Sequence, residues 1–279
     1  PCDAEMPNSL REIESHARGT TLTELCYVLA TNATKDMDWN TALSGSNADK
    51  AIAALQLELA SLESTILTRI EPNDPDFATA KRLATPGRIL LDIKRSGLYK
   101  ARGVKQGFRE NKTIADGPDF NYYAHVAKLV TVRSVLCRYK RGTRRVAIKD
   151  VKTAFLQSDS YPDGVVKYVC FKHPITKEVM YYSQTGPIYG EASAPILWEN
   201  TIAPFYGTIG MVRGENEKCC FHEPTKDLLS VLYVDDCMGE GEEDDISWLF
   251  TKLENRFDCK EADWLNPNSS IDYLGMNVS

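Results

Sequence analysis

The sequence predicts an α+β fold with a largely antiparallel sheet, and three observations support this class. Helix and strand patterns follow one another in mixed order along the 279 residues, without the regular strand–helix alternation of a parallel sheet. Pairs of strand patterns are joined by short turns, as in β-hairpins. The composition, 43% hydrophobic and 26% charged, is that of a globular protein with one large domain or two smaller ones.

The first part of the chain passes from weak patterns to clear ones. Residues 1–45 contain only short helical stretches, near 10–16 and 22–30, and we interpret them as a peripheral extension. Ser46–Asp49 resembles a helix N-cap followed by an acidic first turn. Apolar residues at three- and four-residue steps then predict one face of a helix: Ile52, Leu55, Leu59, Leu62 and Ile66.

Proline and polar residues at 71–75 mark a break, and a hairpin and a helix are predicted beyond it. The hairpin has strands at 88–94 and 99–104 around a turn at 95–97. A loop is expected at 111–121. The helix is predicted at 126–138, with four apolar residues facing inward: Val126, Leu129, Val130 and Val135.

The remaining half supplies most of the predicted sheet. A buried strand at 146–150 ends in a carboxylate, and a hairpin is predicted from strands at 167–171 and 179–182. Further patterns predict a helix at 194–203, a hairpin containing Phe221 and 228–238, an amphipathic helix at 245–257 and a strand-like segment at Tyr273–Met276.

Charge is strongly segregated along the chain. The net charge of −6 argues against a simple nucleic-acid-binding protein. Between Lys81 and Lys152, however, 19 Lys and Arg residues face only 5 Asp and Glu. A basic segment beside an acidic remainder favours contact with phosphate groups, although a solvated charged face is an alternative interpretation.

Composition and spacing exclude several other classes. No apolar run approaches the ~20 residues of a membrane span, so no membrane partner is expected. No signal-peptide pattern opens the given sequence. The eight cysteines form no CxxC pair, and Cys219-Cys220 with His222 lacks a second ligand pair for zinc. Reduced thiols in an intracellular protein are therefore expected. Because the chain begins with Pro1, it is predicted to be part of a longer product.

Carboxylates at the ends of two predicted strands form the candidate catalytic centre. Tyr233-Val234-Asp235-Asp236 ends an apolar run, and Asp150 ends another. Adjacent antiparallel strands bring such ends together. Three carboxylates can hold two divalent cations for phosphoryl transfer. Mg²⁺ suits this because it is bound by few carboxylates together with substrate phosphates, and Mn²⁺ is a possible substitute.

Six motifs in order resemble those of copia-type (Pseudoviridae) reverse transcriptases of LTR retrotransposons. Lys100–Phe108 resembles the KAR-x-V-x-x-GF signature, and Asp119–Arg133 resembles the DY…APV-x-RLTTIR stretch. Asp150–Leu156 has the family's DVKTAFL sequence. The other segments are similar to its LYGLKQAP-x-AW, YVDD and FLG motifs: Ile188–Trp198, Tyr233–Asp236 and Tyr273–Met276. The match covers roughly residues 46–279.

The resemblance implies the fingers and palm of a right-hand polymerase, with an antiparallel palm sheet flanked by helices. The expected domains are an N-terminal extension at 1–45, fingers at 46–145, and a palm with finger insertions at 146–279. The thumb is expected to be absent. The implied activity is RNA-directed DNA polymerisation by two-metal nucleotidyl transfer to a primer 3′-hydroxyl. The implied partners are a primed RNA or DNA template and deoxynucleoside triphosphates, in an intracellular setting of cytoplasmic particles or the nucleus.

The resemblance also assigns site residues. The implied metal ligands are Asp150, Asp235 and Asp236. Phe155 matches the steric gate against ribonucleotides, with a core phenylalanine as the alternative. The other implied nucleotide-binding residues are Lys94, Arg102, Val151, Tyr189 and Gly190; surface charge is the alternative for Lys94 and Arg102, and packing for Tyr189. The implied primer grip is Tyr273, Leu274 and Gly275.

Departures from the family pattern keep a second hypothesis open. Ala192-Ser193 stands where the family usually has Lys-Gln, Ile196 replaces an Arg, and His125 replaces a Pro. A domesticated or decayed domain that binds nucleic acid, or serves as a structural module, therefore remains an alternative. A metal-dependent phosphohydrolase explains the carboxylates but not the other motifs.

Overall fold

The computed structural model describes residues 37–94, 97–111, 115–117, 119–139, 144–162, 165–266, 270–274 and 276–278. Its helices are α1 (Trp39–Ser44), α2 (Ala48–Thr65), α3 (Phe77–Leu83), α4 (Leu129–Arg138), α5 (Ala194–Thr208) and α6 (Glu243–Glu254). Its strands are β1 (Leu67–Ile70), β2 (Thr85–Ile93), β3 (Tyr99–Lys105), β4 (Arg144–Asp150), β5 (Lys167–Lys172), β6 (Val179–Gln184), β7 (Val212–Arg213), β8 (Cys220–Glu223), β9 (Leu228–Tyr233), β10 (Asp236–Glu242), β11 (Asp263–Trp264), β12 (Ile271–Tyr273) and β13 (Met276–Val278). The helices predicted near 10–16 and 22–30 lie outside these residues.

An antiparallel six-stranded sheet, with the order β11-β4-β10-β9-β8-β7, carries the predicted carboxylates. Side chains of a strand alternate between the two faces of a sheet. Cys237 accordingly packs into the core on one face and Met238 into the core on the other. Helices α5 and α6 contribute to the first core and α4 to the second. The sheet is therefore covered on both faces, as predicted for an antiparallel sheet flanked by helices.

A second sheet has five strands in the order β1-β6-β5-β2-β3. Its β5 and β6 form the predicted antiparallel hairpin. The first residues of β2, Thr85–Gly87, pair in parallel with β5. Strand β1 pairs antiparallel with β6 and was not predicted.

The described residues fall into two compact units. One comprises the described parts of 1–60 and 89–102, and the other those of 61–88 and 103–279. In the first unit, Asp38 caps α1 by accepting a hydrogen bond from the amide of Thr41, and the indole of Trp39 donates to the carbonyl of Ile89 at 2.7 Å. The second unit contains the six-stranded sheet and all three candidate carboxylates.

Two sequence predictions were wrong in detail. The helix expected at 126–138 begins only at Leu129. Of the four residues predicted to face inward, only Val135 is buried, whereas Val126, Leu129 and Val130 are exposed. The strand-like segment Tyr273–Met276 is a hairpin, because β12 ends at Tyr273 and β13 starts at Met276. Leu274 lies in its turn with a φ of 52°.

Six described cysteines are free thiols; among them Cys219 and Cys237 are buried, and Cys137 is exposed. No helix in the described part of the chain is long and apolar enough to cross a bilayer.

Candidate active site

A tight hairpin turn between β9 and β10 presents two of the carboxylates. Tyr233 and Asp236 pair across the turn, so Val234 and Asp235 alone form the loop. Val234 has a φ of 55°, a conformation that is costly for a β-branched residue. Such strain persists only where surrounding contacts hold it, and it is typical of functional sites.

Two residues of the recognised motifs hold this turn by its carbonyl groups. The amide of Val151 donates to the carbonyl of Asp235 at 2.8 Å. The indole of Trp198 donates to the carbonyl of Val234 at 2.7 Å. Val151 is fully buried and Trp198 is 2% exposed. Because both donors are fixed in the core, they position the backbone from which Asp235 projects.

The sheet register brings the third carboxylate to the same place. Asp150, the last residue of β4, pairs directly with Asp236, the first residue of β10. Burial raises the pKa of Asp236 to about 6, and repulsion from Asp235 and Asp150 adds to the effect, while Lys260 opposes it. The register thus sets the ends of the two strands side by side, and Lys260 only partly offsets the mutual repulsion of the carboxylates.

The structure adds a cation that the sequence analysis missed. The Nζ of Lys260 lies 2.5 Å from Oδ2 of Asp150. As the side chains lie, no three His, Cys, Asp or Glu residues in the described ranges converge to hold a metal ion. The donor chemistry nevertheless fits a divalent cation, because oxygen ligands with mutually repelling charges meet at one turn.

The raised pKa of Asp236 predicts a pH-dependent gain from neutralising this residue. A folded-state pKa of about 6 exceeds the ordinary value of 3.8, so the charge destabilises the metal-free fold fully above pH 6 and not at all below 3.8. We expect Asp236→Asn to stabilise the protein by about 1 kcal/mol at pH 8, allowing for partial solvent screening. Thermal unfolding in a chelator at pH 8 and pH 4 measures this.

The expected shift in Tm for Asp236→Asn is about 2–4 °C at pH 8 and close to zero at pH 4. Asp244→Asn is the matched control, because Asp244 is exposed in the first turn of α6. An equal gain at both pH values would show that charge repulsion is not the cause.

The candidate steric gate packs against another predicted nucleotide-binding residue. Phe155 lies in a short 3₁₀ helix, Ala154–Gln157, which follows Thr153 in the left-handed conformation. Its ring meets that of Tyr189 edge to face, with centroids 5.3 Å apart. Both side chains are only partly buried. The pair therefore has aromatic surface open to a ligand as well as packed surface.

Two motif glycines allow the backbones of separate motifs to touch. The amide of Lys105 donates to Tyr189 at 2.8 Å and that of Gly107 donates to Gly190 at 3.0 Å. A Cβ at Gly190 would lie 2.2 Å from the carbonyl oxygen of Lys105, and one at Gly107 would lie 2.4 Å from that of Gly190. Gly190 also has a φ of 81°, which favours glycine. Both positions thus require glycine to fix the Tyr189–Gly190 backbone.

A buried ion cluster lies directly beyond Gly190. The Nζ of Lys167 is 2.7 Å from Glu191 and 2.5 Å from Asp116. The Nζ of Lys105 is 2.5 Å from Glu110 and 3.6 Å from Glu191. All five side chains are at most 5% exposed. Burial alone would raise the pKa of Glu191, but the two ammonium groups hold it below the ordinary value.

This cluster explains how Ser193, one of the departures from the family pattern, is accommodated in the fold. Ser193 is fully buried; its hydroxyl donates to Glu191 at 2.8 Å and accepts from Lys167 at 3.1 Å. Its polar group therefore stabilises the charges beneath the segment. His125, another departure, has its Nδ1 2.7 Å from Glu199, which also binds Arg213.

Lys94 and Arg102, the predicted triphosphate-binding residues, belong to the other compact unit. Lys94 is exposed, and its amide closes the β2–β3 turn by donating to Leu98 at 2.9 Å. Arg102 pairs with buried Asp92, with NH1 to Oδ2 at 2.8 Å, and remains 40% exposed. The exposed part of its guanidinium is available to a ligand.

The predicted primer-grip residues differ in how much of them is accessible. Tyr273 is 1% exposed, and its hydroxyl has no hydrogen-bond partner among the described groups. Burial raises its pKa, and Asp236 adds to the rise. Tyr273 packs in the same core as Met238 and Tyr233, which flank the carboxylate-bearing turn. Leu274 occupies the turn, and Gly275 lies outside the described residues.

The site residues that the sequence analysis missed are Lys260, Lys105, Lys167 and Glu191. For Lys260 a signal existed, because Asp258-Cys259-Lys260 repeats the Asp-x-Lys pattern of Asp150-Val151-Lys152. No comparable sequence pattern marks Lys105, Lys167 and Glu191, because they come from separate strands and loops.

These features define a class of fold: an antiparallel sheet, covered by helices on both faces, that carries carboxylates on a hairpin. A solved telomerase structure from Candida albicans, in complex with a fragment of telomeric RNA, has the same fold with a TM-score of 0.51. At 11% identity, it covers 83% of this chain and is half covered by it. The predicted right-hand polymerase fold is confirmed by this likeness.

The family described as "Reverse transcriptase (RNA-dependent DNA polymerase)" matches residues 89–279, so the chain belongs to the reverse transcriptase family. The Retrovirus-related Pol polyprotein from transposon TNT 1-94 of Nicotiana tabacum is 25% identical over 262 residues. That alignment covers 90% of this chain but only 19% of the tobacco protein. The chain thus spans about a fifth of that relative, and the predicted resemblance to copia-type reverse transcriptases is confirmed.

Proposed function

We propose that this chain is the fingers and palm of an RNA-directed DNA polymerase of a copia-like retrotransposon. The observation that carries the proposal is the register that sets Asp150 opposite Asp236, with Asp235 in the adjoining turn. In the reaction, a primer 3′-oxygen forms a bond to the α-phosphorus of a deoxynucleoside triphosphate. The bond to pyrophosphate breaks, and the hydroxyl proton is released.

Each group at the site has a part in this reaction. Asp150, Asp235 and Asp236 would hold two Mg²⁺ ions, which would supply Lewis-acid activation of the attacking hydroxyl and charge stabilisation of the leaving pyrophosphate. Val151 and Trp198 hold the turn. Phe155, supported by Tyr189, is proposed as the sugar gate. The family resemblance separately assigns Arg102 and Lys94 to triphosphate binding.

The remaining assignments follow from the same proposal. A primed RNA or DNA template is the expected partner, with Tyr273, Leu274 and Gly275 at the primer end. The fingers are proposed to span 46–145, and the palm with finger insertions 146–279. The proposed setting is intracellular, in cytoplasmic particles or the nucleus.

A primer-extension assay tests the proposal. With an RNA template, an annealed DNA primer, deoxynucleotides and Mg²⁺, we expect template-directed addition that a chelator stops. Parallel reactions with a DNA template and with Mn²⁺ define template and metal preference.

The competing function is that of a decayed domain that only binds nucleic acid. Ala192-Ser193 favours it, because neither residue supplies the charge of the usual Lys-Gln segment and Ser193 is buried. Binding of the primed template without extension in Mg²⁺ or Mn²⁺ would establish the decayed domain and overturn the polymerase.

Phe155→Val is expected to raise ribonucleotide incorporation relative to deoxynucleotide incorporation. Loss of the ring removes the clash with a ribose 2′-hydroxyl. Removing a steric barrier of this kind from a pocket changes the selectivity between two substrates on the order of tenfold or more. The ratio of kcat/KM for matched ribo- and deoxynucleotides measures it.

The matched control for the gate is Phe205→Val. Phe205 is also a partly buried aromatic residue, but it packs on Phe257 in the core of the palm. Sugar selectivity that stays the same in Phe155→Val would remove the gate role, and a change in both variants would indicate general loosening of the palm.

A further inference from the structure

Two Asp-x-Lys tripeptides face each other beside the carboxylates. Val151 and Cys259, their central residues, pair as an antiparallel bridge. The amide of Lys152 donates to the carbonyl of Asp258 and the amide of Lys260 to that of Asp150, both at 2.9 Å. Because the segments are antiparallel, each aspartate meets the lysine of the other tripeptide.

The two resulting ion pairs have the same chemistry, because each joins a lysine ammonium group to an aspartate carboxylate. Lys260 Nζ lies 2.5 Å from Asp150 Oδ2, and Lys152 Nζ lies 2.9 Å from Asp258 Oδ1. The lysines are 54% and 46% exposed, respectively. Only the first pair engages a carboxylate of the candidate centre. The Lys152–Asp258 pair therefore serves as an internal reference: breaking it shows what the loss of such an ion pair does to the structure alone.

The backbone of Asp258–Lys260 is held independently of the Lys260 side chain. Gln157 binds Asp258 from both sides: its Nε2 donates to the carbonyl at 3.0 Å, and its Oε1 accepts from the amide at 2.7 Å. Arg256 adds an ion pair with Asp159 at 2.8 Å. Truncation of the Lys260 side chain therefore leaves its segment in place.

Charge at the centre gives Lys260 a further role. The described carboxylates do not converge on a metal site as they lie, and Asp150 is paired with an ammonium group instead. A lysine and a divalent cation seek the same carboxylate oxygen. An exposed pair of this kind is worth at most about 1 kcal/mol, so a divalent cation can displace it.

We propose that Lys260 is the resting counter-ion of Asp150, and that a divalent cation binds the centre by displacing its ammonium group from Oδ2. Lys260 is then a positioning residue that sets the cation concentration at which the centre forms. The inference deepens the proposed function and rests on it, because it assigns Asp150 to the cation.

Binding of Mn²⁺ to the protein, without nucleotide or primer, tests the proposal through the electron paramagnetic resonance signal of the free ion. Lys260→Met removes the competing charge, and we expect it to tighten Mn²⁺ binding about three- to fivefold. Lys260→Arg retains the charge and is expected to bind as the parent protein does. Lys152→Met, the control variant, breaks the reference ion pair with Asp258. We expect it to change the affinity for Mn²⁺ less than twofold.

The outcomes distinguish failure of the counter-ion role of Lys260 from failure of the proposed metal site. Mn²⁺ binding that Asp150→Asn weakens, but that Lys260→Met leaves unchanged or also weakens, overturns the counter-ion role and leaves the metal site standing. If neither the parent nor Lys260→Met binds Mn²⁺, the metal site and the counter-ion role both fail. Thermal unfolding verifies that each variant is folded, and Lys260→Gln replaces Lys260→Met if that variant is not.

Discussion

Replacing Asp235 with asparagine is expected to abolish primer extension while leaving the affinity for primed template nearly unchanged. Asp235 projects from a turn whose carbonyl groups are held by Val151 and Trp198, so the substitution removes charge without releasing the backbone. Loss of a metal-binding carboxylate should lower kcat/KM by about a thousandfold or more, on the order of 4 kcal/mol of transition-state stabilisation.

Single-nucleotide extension and fluorescence anisotropy with labelled primed template measure the two effects of Asp235→Asn. Asp244→Asn makes the same change of charge on the exposed start of α6 and is expected to retain full activity. An Asp235→Asn protein that extends primers within tenfold of the parent would exclude Asp235 from the catalytic centre. Weakened template binding would instead assign it to the nucleic-acid interface.

The second large effect is expected on stability, from truncation of Glu191 to alanine. Glu191 is fully buried between Lys105 and Lys167 and also accepts hydrogen bonds from Tyr161 at 2.6 Å and Ser193 at 2.8 Å. Without Glu191, Lys105 keeps Glu110 and Lys167 keeps Asp116, so the charges still balance. The buried hydroxyl donors of Tyr161 and Ser193 lose their acceptor, at about 1–3 kcal/mol each, and breaking buried ion pairs typically costs about 3–5 kcal/mol in total. We expect a loss of that size in the free energy of unfolding.

Urea denaturation followed by circular dichroism measures the effect of Glu191→Ala. Glu178→Ala is the control, because Glu178 also forms an ion pair, with Arg69, but is 59% exposed. Its loss should cost less than about 1 kcal/mol. A cost for Glu191→Ala no larger than that of Glu178→Ala would show that the cluster contributes little to stability.

The elements predicted most accurately are those whose information is local. The helix at Ala48–Thr65 follows from spacing and an N-cap pattern, and the β5–β6 and β9–β10 hairpins follow from runs of apolar residues around turns. The meeting of Asp150 and Asp236 was also predictable, because two predicted strands end at carboxylates and adjacent antiparallel strands align such ends.

The elements that were missed depend on contacts between distant segments. Apolar spacing alone assigned Val126 and Val130 to the core, but a residue is buried only where another element covers it, and both are exposed. The partners of Glu191 come from β3, β5 and loops. No local sequence pattern therefore predicts these contacts. Lys260 reaches Asp150 only because residues 258–260 pair beside β4.

The contact between Gly107 and Gly190 has a consequence for variation among related sequences. A side chain at either position would collide with backbone atoms of the opposite segment, and backbone cannot rotate away as a side chain can. The two positions therefore constrain each other although they belong to different motifs. Relatives that keep this contact should have glycine at both positions, and relatives that have lost one should be free to lose the other.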